Sequence, residues 1–290
     1  MRALVREAGR VRLVDVPEPV VRNADDVIVR VLVAGVCRTD LYVADGRIPS
    51  AEPITLGHEL CGRVTACGAE ARIAIGTLVS VDPRIDGGFL GVTDHGAFAD
   101  YLRVPAANVL VLPELDPRAG AYVEPVAAAL AVPKAIAGNA LNAELAGTRV
   151  GLIGRDRFAE LIAAVLRLEG CVVARQGPFD IAVETTGTPA ELAALCEALR
   201  PNGTLIVKSR TPEPVALPLA AIVDKQLVVR GARYGSFARA VELVSSDALE
   251  LDALFGDSFA LAQWETAFAR AHAGETTKLF LRMDDEPCAA

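Results

Sequence analysis

The chain changes its hydrophobic pattern at Ala121-Tyr122-Val123-Glu124-Pro125. Before that point, short β-branched runs are punctuated by Gly and Pro. Residues 11–16 alternate and are closed by Pro17 and Pro19, and residues 26–34 form a longer β-branched run. Further short strands are expected at 62–68, 77–81 and 96–104. Many short strands with such turns predict a barrel or sandwich. After that point, strands at 149–154, 180–187, 203–208 and 226–231 alternate with helices at 158–169, 189–199 and near 237–244. The 158–169 helix is marked by Leu161, Ile162, Val165, Leu166 and Leu168 on one face. This alternation predicts an α/β domain with a parallel sheet. A helix at 264–271 and a strand at 278–282 close the pattern, and residues 284–290 are expected to fray.

A chain of 290 residues, 52% hydrophobic and 23% charged, can bury a large core in one or two domains. A net charge of -8 and the lack of a basic run argue against a nucleic-acid partner. The six cysteines are dispersed and form no C-x-x-C pair, which predicts a reduced, cytoplasmic protein. No secretory core follows Met1, and no apolar run is long enough for a bilayer; the best, from Ala121, is broken by Glu124, Pro125, Pro133 and Lys134.

Two short motifs carry the chemistry: Gly35-Val36-Cys37-Arg38-Thr39-Asp40 and Gly57-His58-Glu59. A thiolate and an imidazole suit zinc, and a carboxylate can complete a tetrahedron. Beside the thiol, the Thr39 hydroxyl could pass a proton between a metal-bound oxygen and solvent. Together the motifs resemble the catalytic zinc site of the medium-chain dehydrogenase/reductase family, the zinc alcohol and polyol dehydrogenases. The resemblance extends to Gly96-Ala97-Phe98-Ala99 with Tyr101-Leu102 and Val104, to Val123-Glu124-Pro125 and to the D-x-x-V-E-x-T-G strand at Asp180, and it covers residues 1–282.

The resemblance implies a GroES-like catalytic barrel over residues 1–124, to which 253–290 return, and a truncated Rossmann-type domain over 125–252. It places Cys37, His58, Glu59 and Glu124 at the zinc positions, Thr39 at the proton relay, and Arg38 near the cofactor pyrophosphate. Glu59 could instead be a structural carboxylate beside the metal, and Glu124 a helix-start residue favoured by the dipole. Residues 83–90 stand where the family often carries a four-cysteine zinc lobe. They contain no cysteine, so one zinc is expected. His95, His272 and Cys61 read as packing or surface residues rather than ligands.

The nucleotide fingerprint G-x-G-x-x-G is altered. Gly154 is kept and Ala159 serves as the third position, but Asp156 replaces the second glycine. Asp156 is a good helix N-cap and would compete with a phosphate for the same amides. At the end of the next candidate strand stands Arg175, suited to a 2′-phosphate and thus to NADP(H) over NAD(H). Thr185 and Gly187 would lie near the nicotinamide by the resemblance. Only residues 176–179 separate Arg175 from the strand at Asp180, fewer than a parallel crossover ordinarily needs. The two segments are therefore not expected to be ordinary parallel strands of one sheet, and a helix-strand unit of the family is missing. The expected activity is zinc-dependent interconversion of a small alcohol or polyol and a carbonyl with NAD(P)(H), by a homodimer joined through the edge strand at Leu227-Val228-Val229. A redox-neutral zinc lyase or cyclase that has lost the dinucleotide, and a non-catalytic binding protein, are the alternatives.

Overall fold

The computed structural model of the chain describes residues 1–138 and 145–283. Cys288 and the rest of 284–290, expected to fray, lie outside the described residues. By its contacts the chain divides into two units, Met1–Glu124 with Phe237–Ala290, and Pro125–Ser236.

In the first unit, β1 (Arg2–Glu7), β2 (Arg10–Asp15) and β4 (Ile54–Thr55) form a three-stranded sheet. A larger sheet gathers β3 (Asp26–Gly35), β5 (Glu59–Cys67), β6 (Leu78–Val81), β7 (Tyr101–Pro105) and β8 (Val109–Val111). Helix α1 (Arg38–Ala44) follows β3, and α2 (Pro117–Ala121) and α3 (Val123–Ala129) follow β8. The run 26–34 is a strand because nearly every residue is apolar and buried on both faces, Arg30 alone being exposed.

The middle of the chain holds α4 (Ala131–Ala137), β9 (Arg149–Leu152), α5 (Arg157–Leu168), β10 (Val172–Ala174), β11 (Phe179–Glu184), α6 (Pro189–Ala198), β12 (Leu199–Val207), α7 (Leu219–Asp224) and β13 (Val228–Gly231). Its sheet is parallel throughout, in the order β10-β9-β11-β12-β13. Phe179, Ala182, Leu192, Leu195 and Leu205 form the core between α6 and the sheet.

The expectation that Arg175's segment and the Asp180 strand cannot share one parallel sheet is overturned. β10 and β11 flank β9 on opposite sides, both parallel to it. β10 is only three residues long, with Ala174 opposite Gly151, while Ile181 stands opposite Val150. The link must cross two strand spacings and drop by three residues, about 14 Å. Residues 175–178 extended reach roughly 17 Å, so no helix is needed. The crossing passes over a glycine: a Cβ on Gly151 would come within 2.4 Å of the Phe179 ring.

The last elements are α8 (Phe237–Ser245), β14 (Phe255–Ala260), α9 (Trp264–His272) and β15 (Lys278–Arg282). Residues 237–252, expected with the nucleotide domain, pack with the first unit. The reason is the apolar face of α8, where Phe237, Ala240, Leu243 and Val244 are buried in that unit. β15 joins the large sheet beside β3, with Phe280 opposite Gly35 and Leu281 opposite Ala34.

Candidate metal centre and nucleotide turn

Three strands deliver the candidate ligands to one end of the large sheet. β3 ends at Gly35, and Cys37 is the N-cap of α1. β5 begins at Glu59, paired with Gly35, so His58 and Glu59 meet the end of β3. β15 begins at Lys278 next to the same glycine. The donor atoms of Cys37, His58 and Glu59 lie within 4.8 Å of one another, a spacing one tetrahedral zinc can collect with small side-chain movements. Among the described residues this is the one cluster of its kind.

Asp40, whose role the motif alone did not reveal, does two jobs. Its Oδ2 accepts the Cys37 backbone N–H at 2.8 Å, capping α1, and its Oδ1 lies 3.0 Å from His58 Nδ1. Both side chains are nearly inaccessible. With Nδ1–H donated to Asp40, His58 Nε2 keeps its lone pair for a metal. Burial, the largest single influence, lowers the pKa of His58, but the charges of Asp40 and Cys37 outweigh it and hold the imidazole well above its ordinary value. The Phe89 ring, from the segment without cysteines, packs on His58 with centroids 5.2 Å apart.

Glu59 forms an ion pair with Lys278, both almost fully buried. The close approach needs Gly35, where a Cβ would come within 2.3 Å of the Glu59 carboxylate and 2.6 Å of the Lys278 chain. Lys278 lies far from the motifs in sequence, and only the strand pairing reveals it. Glu124, expected as a fourth ligand, is buried at the start of α3 and does not join the cluster. Thr39 is half-buried and Arg38 exposed in the first turn of α1. Cys61 lies outside the cluster, and burial pushes its thiol up to about 12.

In the second unit the fingerprint turn is already engaged by its own side chains. Asp156 is the N-cap of α5, and its carboxylate accepts from the amides of Phe158 and Ala159, each at 2.9 Å. Arg175 donates to the carbonyls of Leu152, at 2.9 Å, and Gly154, and pairs with Glu160 at 2.5 Å. Glu191, buried at the start of α6, accepts from Thr186 N–H at 2.9 Å; its other oxygen, Oε1, has no hydrogen-bond partner among the described residues and faces the Gly154 turn. Thr185 is fully buried against Gly154. Gly187 has φ 69° and donates its N–H to Glu184, whose second oxygen binds Ser209. The donors that would receive a pyrophosphate are thus spent on Asp156, with a second carboxylate close by. As it stands, this turn does not fit a dinucleotide, whereas the Cys37 cluster fits zinc.

Comparison with known proteins agrees with the first unit's architecture. Residues 23–114 match the alcohol dehydrogenase GroES-like domain. A Mycobacterium tuberculosis protein named as a zinc-binding alcohol dehydrogenase is 28% identical over 98% of this chain and 89% of its own length. The L-threonine 3-dehydrogenase of Saccharopolyspora erythraea is 27% identical over 97% and 98%. That alignment runs over 351 positions, more than the 290 residues here, so the relative carries segments with no counterpart in this chain. Among solved structures, a protein of Sinorhizobium meliloti named as a zinc-binding dehydrogenase and bound to NADP superposes with a TM-score of 0.83, at 24% identity, over 97% of this chain and 98% of its own. Residues 23–114 thus carry a GroES-like domain of the alcohol dehydrogenase kind, and over nearly its whole length the chain is similar to zinc-binding dehydrogenases. The proteins it resembles in sequence are named as a zinc-binding alcohol dehydrogenase and as L-threonine 3-dehydrogenases.

Proposed function

We propose that the protein is a zinc-dependent oxidoreductase interconverting a small alcohol or polyol and a carbonyl. The observation that carries this reading is the Cys37–His58–Glu59 cluster with Asp40 behind the histidine. Zinc, when bound, supplies a Lewis acid for the substrate oxygen. Cys37 and His58 hold it, and Asp40 fixes the histidine tautomer. Glu59 is the third donor, restrained by Lys278. Thr39, in the first turn of α1, moves the hydroxyl proton outward. Zinc analysis of the purified protein, with oxidation of a panel of alcohols, diols and threonine, tests the reading; a protein without zinc or without turnover on every member ends it.

The electron acceptor is a nicotinamide nucleotide in this reading, NADP being present in the Sinorhizobium meliloti structure. The capped turn favours a second reading, a redox-neutral zinc enzyme on the same scaffold. Titration with NADPH and NADH separates the two. Binding weaker than micromolar is expected for the wild type. Asp156→Gly should tighten it by no more than about thirtyfold, since one charge at a helix N-terminus is worth roughly 0.3–1 kcal/mol, up to about 2 when partly buried. Micromolar binding by the wild type removes the second reading.

Five free cysteines among the described residues support a reducing, cytoplasmic location. A homodimer is proposed through β13, an edge strand whose residues are all exposed, Val228 at 46% and Val229 at 41%. Light scattering at micromolar concentration should give twice the chain mass, and Val229→Lys should return the monomer. A monomeric wild type rules this assembly out.

A further inference from the structure

We infer that the first unit holds a second small-molecule site, apart from the candidate metal centre, which takes a monocarboxylate with an apolar body anchored at Arg103. The site is a cavity of about 730 Å³, lined from β1, β4, β7, residues 16–23 and the segment 85–96. That volume suits a small ligand. None of its lining residues belongs to the Cys37–His58–Glu59 cluster. The inference uses neither the metal nor a nucleotide, so it stands apart from the dehydrogenase reading.

Much of the wall is apolar. Val5, Ile54, Leu90, Leu102 and Val104 are buried residues that line the cavity, so a hydrocarbon body leaves water there. The polar anchor comes from β7. Burial alternates along this strand, and Tyr101, Arg103 and Pro105 share its half-buried face. Arg103 is held from one side. Its Nη1 is buried 3.6 Å from Asp26 Oδ2, too far for a hydrogen bond, and has no other partner among the described residues. The same Asp26 oxygen already accepts the backbone N–H groups of Arg22 at 2.7 Å and Asn23 at 2.9 Å. Burial, the largest single influence, raises the Asp26 pKa, but those amides and the Arg103 charge outweigh it and hold the carboxyl below its ordinary value. A fixed anion thus positions the arginine without using up its donors. The Arg103 side chain remains 32% exposed, where it lines the cavity.

The charges select the class of ligand. Arg22, in the same turn as Asn23, also lines the cavity, so two guanidinium groups stand around one buried carboxylate at this end. That leaves room for one further negative charge. A carboxylate matches a guanidinium edge with two parallel hydrogen bonds. Glu18, Asp86 and Asp94 line the rest of the cavity and repel a ligand of higher charge, such as phosphate. An amine finds Asp26 buried and its oxygens already taken.

Octanoate, octanamide and inorganic phosphate are the probes, titrated calorimetrically into the full-length protein. Octanoate should bind saturably with a Kd at or below about 1 mM. Octanamide, with the same body and no charge, should bind at least about tenfold more weakly, and phosphate should not saturate in that range. Arg103→Gln should weaken octanoate by about ten- to a hundredfold and leave octanamide nearly unchanged. Val16→Phe, which fills the cavity and keeps the arginine, should weaken both. Should Arg103→Gln fail to fold, Val16→Phe and the difference between octanoate and octanamide carry the test. Cys37→Ser should bind octanoate as the wild type does, whatever its zinc content. Absence of saturable octanoate binding, equal affinity for octanamide or phosphate, or octanoate binding that survives Arg103→Gln and Val16→Phe overturns the inference. Binding lost in Cys37→Ser also overturns it, by placing the carboxylate on the metal.

Discussion

Cys37→Ser should leave the purified protein nearly free of zinc, where the wild type retains about one ion per chain. A hydroxyl has no thiolate at neutral pH, and the three donors within 4.8 Å are reduced to two good ones. Asp40→Ala removes only the group that orients His58, and losses of that kind cost about 10–100-fold in metal affinity; the direct ligand should cost more. Metal analysis after dialysis against a weak chelator reads both. Equal zinc in wild type and Cys37→Ser would mean that the metal sits elsewhere. The raised pKa of His58 adds a pH dependence with a definite sign. In the metal-free protein, the His58–Asp40 pair contributes fully below the unfolded histidine pKa, and that contribution is lost as pH rises through the raised folded value. Zinc needs the neutral imidazole, so its contribution grows over the same range. The gap in melting temperature between zinc-loaded and metal-free protein should therefore widen as pH rises from about 6 to about 8 or beyond.

The parts of this site that were legible in the sequence are those built locally. Cys37 caps the helical turn that holds Thr39 and Asp40, and His58 directly precedes the strand that Glu59 begins, so ligand chemistry could be read from residue types at short spacing. Lys278 could not be read that way. It meets Glu59 only because β15 pairs with β3, a contact set by strand order rather than by any nearby residue. Glu160 and Glu191 stand in the first turns of α5 and α6, and their contacts depend on where Arg175 and the Gly154 turn come to rest. The link between β10 and β11 was misjudged for another reason. The rule that parallel strands need a long crossover assumes a helix must cover the face that the chain crosses. Here the strand is three residues long and the crossed residue is glycine, so four residues suffice. The first boundary, at Glu124, coincides with the change from short strands to alternating elements. The second lies earlier than drawn because α8 buries its apolar face in the first unit.

Lys278→Met should destabilise the metal-free protein by about 3–5 kcal/mol, the usual cost of leaving one partner of a buried ion pair uncompensated. Glu59 and Lys278 are 2% and 3% exposed, so water cannot replace the lost ammonium, and Gly35 leaves no side chain there to rearrange. Glu59→Gln combined with Lys278→Met should recover most of that loss, because an apolar residue and a neutral amide leave no charge behind. Zinc supplies the informative second condition. If Glu59 is the third ligand, the bound cation takes over the compensation that Lys278 provided. Saturating zinc should then restore the single variant far more than it stabilises the wild type. Lys278→Arg, which keeps the charge, should stay near wild type in both conditions, apart from a packing cost for the bulkier fork. Urea unfolding of the four proteins, with and without zinc, measures every term of the comparison. A loss of the same size with and without the metal would assign Glu59 to a structural ion pair and leave Cys37 and His58 to hold zinc with water.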